Sequence, residues 1–179
     1  VYRSTDPRPP GQQYITLTQD DINSVYRAQE ISYAAYGEQV FEFSHWDLRA
    51  GLRYDRDGFS DESLVSPRLA ANWRPEPDMR VSATAGVFYQ SPRFLVRAAS
   101  PENFDIENER ITHVSVGFEQ SFGPDWSLLV EPYYQWLDNV VVEQERTSGR
   151  VTNDGEGTNF GVDVVLSRSF ADGWFGNVV

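Results

Sequence analysis

The side chains able to do chemistry fall into three groups. Arg49, Arg53, Arg68, Arg74 and Arg80 come first. A guanidinium stays charged and presents a planar fork of donors suited to carboxylates. Glu119, Glu131 and Asp163 form the second group. A pair of such acids can serve as acid and base in glycoside hydrolysis, but nothing in their spacing selects that use. The third is Asp55-Arg56-Asp57-Gly58 with Asp61 and Glu62. It lacks the roughly twelve-residue ligand spacing of a calcium loop, so a solvated acidic loop is expected. His45 and His113 are the two histidines. Each is expected to be solvated or hydrogen-bonded rather than catalytic or metal-bound. No serine lies in a G-x-S-x-G context. The residues therefore predict no catalytic site, metal centre or cofactor, and a role other than catalysis.

Composition narrows the class. The 179 residues hold 15 Lys plus Arg against 27 Asp plus Glu, a net charge of −12. Such a chain is a poor partner for nucleic acid. The absence of cysteine excludes disulfides and thiolate zinc sites. A 40% hydrophobic and 14% aromatic content is too rich for a disordered chain. No apolar run approaches the ~18 residues of a spanning helix, but a spanning strand needs only ~9–11. Val1 follows no initiator Met or leader, and the chain stops at Trp174-Phe175-Gly176-Asn177-Val178-Val179. An internal portion of a longer protein, or a mature chain trimmed at both ends, is expected.

The elements that must position these residues are strands. Trp46, Leu48, Ala50, Leu52 and Tyr54 alternate with Asp47, Arg49, Gly51, Arg53 and Asp55. Successive strand side chains point to opposite faces, so this segment has one apolar and one ionic face. The pattern returns in 68–74, 79–90, 113–122, 126–137 and 158–167. Leu129 and Val165 are exceptions on the polar side. A noisier strand spans roughly 25–39, with Ile31, Tyr33 and Ala35 opposite Glu30, Ser32 and Glu38. An eighth begins near Gly173. Links 41–45, 74–78, 122–125 and 170–173 are short. Links 56–66, 91–110 and 138–156 are expected to be long loops. The fold class is thus all-β: an antiparallel meander of about eight strands with all short turns at one end.

Aromatic placement separates a membrane barrel from a soluble β-sandwich. Trp46, Trp73, Trp126 and Trp174 sit at short-turn ends; Tyr54, Tyr89, Tyr134 and Trp136 lie toward the other. Between Trp46 and Tyr54 the strand advances about 20 Å along a membrane normal, at ~3.3 Å per residue and ~40° tilt. The apolar band of a spanning barrel is ~25 Å tall with aromatic girdles at both rims. Ala50, Ala71, Ala83 and Ala85 suit lipid contact better than a densely filled core. The opposite face, with the five arginines, Glu119 and Glu131, suits a hydrated lumen. Those arginines would meet an anionic ligand or an interior plug, or else form a ladder with Asp47 and Asp55. In link 91–110, Phe94 and Phe104 are candidate ligand contacts, with Leu95, Val96 and Arg97 beside them; the alternative, and the default, is that these side chains pack the loop against its neighbours.

Gly51-Leu52-Arg53-Tyr54-Asp55, Ser66-Pro67-Arg68-Leu69-Ala70 and Gly86-Val87-Phe88-Tyr89-Gln90-Ser91-Pro92 follow in order. Pro101-Glu102-Asn103, Val116-Gly117-Phe118-Glu119, Glu131-Pro132-Tyr133-Tyr134 and Asn153-Asp154-Gly155 with Asn159-Phe160-Gly161-Val162-Asp163 complete the series. Together, over about residues 30–170, they resemble the barrel of TonB-dependent outer-membrane receptors, with Asp163 where Glu is commoner. The resemblance implies a barrel of about 22 strands with an N-terminal plug. It also implies TonB-energised uptake of a scarce nutrient: a ferric siderophore foremost, or cobalamin or a glycan. Its partners would be membrane lipid and lipopolysaccharide, the nutrient and the TonB complex, in a Gram-negative outer membrane. Residues 1–179 would then be a partial barrel, with plug and remaining strands lying elsewhere. The competing readings are a small closed eight-strand barrel with a structural or adhesive role, and a soluble sandwich binding module.

Overall fold

The computed structural model describes residues 29–144 and 149–179. Eight strands form one sheet in sequential order, every neighbouring pair antiparallel. They are β1 (Tyr33–Glu42), β2 (Trp46–Asp57), β3 (Glu62–Glu76), β4 (Met79–Gln90), β5 (Glu109–Phe122), β6 (Trp126–Glu143), β7 (Val151–Ala171) and β8 (Trp174–Val178). One short helix, α1 (Phe94–Ala98), and a 3-10 turn at Pro101–Asn103 lie between β4 and β5. Among the described residues no helix is long and apolar enough to cross a membrane; that does not bear on crossing by strands.

Register puts the alternation on consistent faces. Leu48 pairs with Ala71, Ala71 with Ala83, and Ala83 with Val116. Val114 pairs with Tyr134, and Tyr134 with Phe160. One face is therefore apolar from β2 to β7, and the other carries Arg49, Arg68, Thr84, Ser115 and Tyr133. The two exceptions meet each other, since Leu129 pairs with Val165. They form an apolar spot on the polar wall.

The apolar face is left open. On the apolar face Leu69 is 61% exposed and Phe160 73% exposed. On the polar face Ser66 is 4% and Ser115 5% exposed. No second layer covers the apolar face among the described residues. The sandwich reading is thereby corrected: a sandwich would bury Trp46, Trp73 and Trp126 between sheets, and all three are exposed. β1 and β8 lie at opposite edges of the sheet and are not paired with each other, which also speaks against the small closed barrel.

The turns follow local chemistry. Asp172 and Gly173 both take positive φ, 50° and 87°. This is the Asp-Gly arrangement that joins right-twisted strands in a two-residue hairpin. The four links expected to be short are short.

Two links expected to be long are corrected. Only residues 58–61 separate β2 from β3, and pairing runs to Asp57↔Glu62. β6 and β7 continue to Glu143 and from Val151, with pairing at Val140↔Gly155 and Glu143↔Val151. Residues 145–148, inside the expected loop 138–156, lie outside the described residues. Hairpins can extend past the alternating span because the backbone ladder needs partners, not an apolar face. At ~3.3 Å per residue, the 21 residues of β7 cover about 70 Å. The ladder slips between Leu137 and Val140, where Asn139 sits at φ 55°. Asparagine is among the few side chains that tolerate that region. The first strand begins at Tyr33 in the described residues; the expected start at Val25 falls outside them. Link 91–110 is a true loop.

Candidate functional site

The polar face of β2 to β5 is the candidate site. It is built by period-2 projection from adjacent strands, which brings the five arginines onto one wall. Four of them have carboxylate partners. Arg49 lies 3.5 Å from Glu38, and Arg74 Nη1 donates to Asp47 Oδ2 at 2.5 Å. Arg53 grips Asp55 through Nε at 2.8 Å and Nη2 at 2.7 Å. Arg80 pairs with Glu119 across the β4–β5 ladder. Asn72 Nδ2 also donates to Asp47, at 2.7 Å. The ladder through Asp47 and Asp55 is thus present, extended by Glu38 and Glu119.

Arg68 differs. Among the described residues no carboxylate pairs with it. Its guanidinium lies 4.7 Å from the ring centre of Phe88. Three recesses, of about 610, 260 and 390 Å³, open on this wall, and Arg68 lines all of them.

The remaining candidates are dispersed. Glu131 stands opposite Asp163 on β6 and β7, remote in strand order from Arg68. His113 Nδ1 accepts from Gln135 Nε2 at 3.1 Å, and its ring stacks on Tyr133 at 6.2 Å. His45, in a short turn, contacts Ser44 Oγ at 3.1 Å. The acidic stretch is not a solvated loop but a tight, internally satisfied hairpin end. Asp57 and Glu62 both accept from Asn108 Nδ2, at 2.9 and 2.7 Å, and Arg56 pairs with Asp61.

The girdle candidates lie on the apolar face in two bands. Trp46 stacks on Trp73 at 5.6 Å, and Trp126 meets Trp174 edge-on at 5.8 Å. Arg168 lies 3.6 Å from the Trp174 ring centre. At the other end Tyr134 packs on Trp136 at 4.5 Å, and Tyr54 Oη contacts Ser63 Oγ at 3.1 Å. Tyr89 is half-buried and pairs with Arg110.

Loop 91–108 folds back over the long-loop end of the wall. Phe94 is exposed and 6.4 Å from Phe59, while Phe104 is half-buried. Three asparagines, which the sequence does not single out as anchors, hold this loop. Asn103 Nδ2 donates to the Val96 and Gly149 carbonyls at 2.7 and 2.8 Å. Its Oδ1 accepts from Val151 N–H at 3.1 Å. Asn153 bridges the Glu107 backbone and the Asn139 carbonyl, and Asn108 ties the loop to Asp57, Ser60 and Glu62. Arg97 is fully buried, donates to the Phe104 carbonyl at 2.7 Å and lies over Phe59. Beyond the loop's surface, Ser100 donates to Glu102 and Arg150 stands 3.1 Å away. The Ser100 hydroxyl first, and then backbone and Arg150, hold the Glu102 carboxyl below its usual range.

A model of the TonB dependent receptor-like β-barrel matches residues 1–178. The chain belongs to the TonB-dependent receptor β-barrel family. Among solved structures it is similar to the FrpB iron transporter of Neisseria meningitidis (F3-3 variant). They share 19% identity at a TM-score of 0.62, over 78% of this chain and 23% of that one. It is also similar to the copper transporter OprC: 18% identity, TM-score 0.66, over 82% of this chain and 26% of the other. The chain thus spans about a quarter of each of these structures. No curated protein matches it. In this family setting the meander is part of a β-barrel.

Proposed function

We propose that this chain is part of the wall of an outer-membrane receptor that imports a scarce nutrient with energy delivered through TonB. The observation that carries the reading is the uncovered apolar face of the sheet. That face is open across the central strands with no layer packed on it among the described residues, while the opposite face carries the charged ladder and its recesses. Hydrocarbon outside and water within satisfy both faces at once. The tryptophan and tyrosine bands then lie at the two headgroup levels, in contact with lipid and, at the loop end, lipopolysaccharide. Phe94 and Phe104 belong to the entry loops. The two unpaired sheet edges continue into further strands, and an interior plug domain with a TonB-contacting segment completes the receptor.

A ferric siderophore is the first nutrient to test, since FrpB is an iron transporter and OprC a copper transporter. The experiment deletes the gene of the whole protein in its host and follows uptake of radio-iron supplied as siderophore complexes. Uptake should fall on deletion and fall equally when TonB is removed. The protein should fractionate with the outer membrane and migrate differently on gels before and after heating. Recovery in the soluble fraction, or uptake indifferent to TonB, would overturn the reading.

A further inference from the structure

We propose that Arg68 anchors a carboxylate-binding site on the inner wall, made for a planar organic acid that carries a ring beside its carboxylate. The inference rests on the transport reading in one respect: the polar face must be the ligand-bearing wall.

The first observation is the distribution of charge. Arg49, Arg53, Arg74 and Arg80 each hold a carboxylate of the sheet itself. Their donors are committed, and an incoming anion would compete with a covalently tethered partner. Arg68 is exposed and has no carboxylate partner among the described residues. Glu38 lines two of the same recesses, but Arg49 claims it at 3.5 Å. A free guanidinium fork on a recessed wall matches a carboxylate bidentately.

The second observation is the space around it. Both cross-strand neighbours of Arg68 are glycines: Gly51 on β2 and Gly86 on β4. With no side chain on either flank, the recesses converge on the guanidinium. A Cβ at Gly86 would stand 3.0 Å from the Phe88 ring and 3.4 Å from Arg68 Cγ. The bare position is what lets Phe88 lie back over the strand and reach Arg68.

The third observation is the ring itself. Phe88 supports the guanidinium through a cation–π contact, leaving the planar edge of the fork for a ligand. It also lines the largest of these recesses, together with Phe59. That recess, about 610 Å³, is of the size that encloses small organic ligands. Its lining also holds Glu30, Asp55 and Asp57, of which Asp55 is bound by Arg53 and Asp57 by Asn108. Arg68 beside aromatic surface in that lining selects an acid with a flat apolar body over a bare inorganic anion.

The test titrates the full-length receptor in detergent with para-fluorobenzoate, followed by fluorine NMR, and compares the neutral isostere para-fluorobenzamide. Saturable line broadening is expected for the acid and not for the amide. Arg68→Gln should weaken acid binding about tenfold or more, the usual effect of losing charge-assisted hydrogen bonds. Arg68→Lys, which keeps charge but loses the fork, should fall between. Each variant is accepted only if it retains heat-modifiable migration. Equal binding of acid and amide, unweakened binding by Arg68→Gln, or no saturable broadening in the wild type would overturn the proposal. The two readings fail separately. TonB-dependent uptake together with unchanged acid binding in Arg68→Gln removes the site and leaves transport. Arg68-dependent binding by a protein that confers no TonB-dependent uptake does the reverse.

Discussion

At the residue scale the two faces of one strand make opposite demands. Leu52 is open on the apolar face, and its neighbour Arg53 is bound to Asp55 on the polar one. Leu52→Arg places a charge in hydrocarbon and should cost ~2–4 kcal/mol of membrane stability if the residue lies at mid-depth. Arg53→Leu should leave insertion intact. Urea titration of folding into vesicles reads both, and equal tolerance would refute the facing assignment. Asn103 makes a different demand. It is fully buried and satisfies two carbonyls and one N–H from two segments, α1 and residues 149–151 at the start of β7. Asn103→Ala strands those groups at about 1–3 kcal/mol each. Loss of exchange protection at the Val151 amide, with the gel migration of the barrel unchanged, is the expected result. Arg97 fits the expectation that side chains of this link pack the loop against its neighbours. It is fully buried, donates to the Phe104 carbonyl and lies over the Phe59 ring.

At the element scale, loop 91–108 behaves as a cap tied to two hairpin extensions rather than as a free strap. Its outer corner is expected to depend on pH. Glu102 has a depressed pKa, so its contribution is fully present above the ordinary carboxylate range and is lost as pH falls through the depressed value. Protection factors over residues 100–104 should therefore drop as pH falls from about 5 to about 3. In Glu102→Gln they should be lower at the start and flat across that interval. A wild-type profile as flat as the variant's would exclude this role. The hairpin extensions explain why the loop is anchored at all. Where β6 and β7 project beyond the alternating span, Gly149, Val151 and Asn153 reach the loop from the far side.

At the scale of the whole molecule, the sheet is a single layer whose edge strands, among the described residues, are β1 and β8. All ten residues of β1 and all five of β8 are exposed. Unpaired backbone groups at such edges cannot be satisfied by lipid, so the proposed function predicts further strands against them. Residues 1–179 produced alone and refolded in detergent should accordingly give no heat-modifiable monomer and should associate through β1 and β8. The full receptor refolded in parallel should give one. A discrete, heat-modifiable monomer from the isolated segment would instead support a small closed barrel.

The sequence by itself determined the strand type, the facing of nearly every residue and the short turns. These depend on local periodicity: every second side chain must meet the same solvent, and Asp172-Gly173 carries its own turn geometry. It also showed the Asp47 and Asp55 partners of the arginine ladder, because those acids lie on the same face as Arg74 and Arg53. Only the tertiary structure decided where pairing stops, since polar hairpins beyond the alternating span have no periodic signature. It alone singled out Arg68 from four neighbours of the same type, because vacancy at a guanidinium is set by register: two glycines across the ladder and acids already taken by other arginines. The asparagine anchors are likewise invisible in sequence, as each joins backbone groups far apart in the chain that meet only once the hairpins stand side by side.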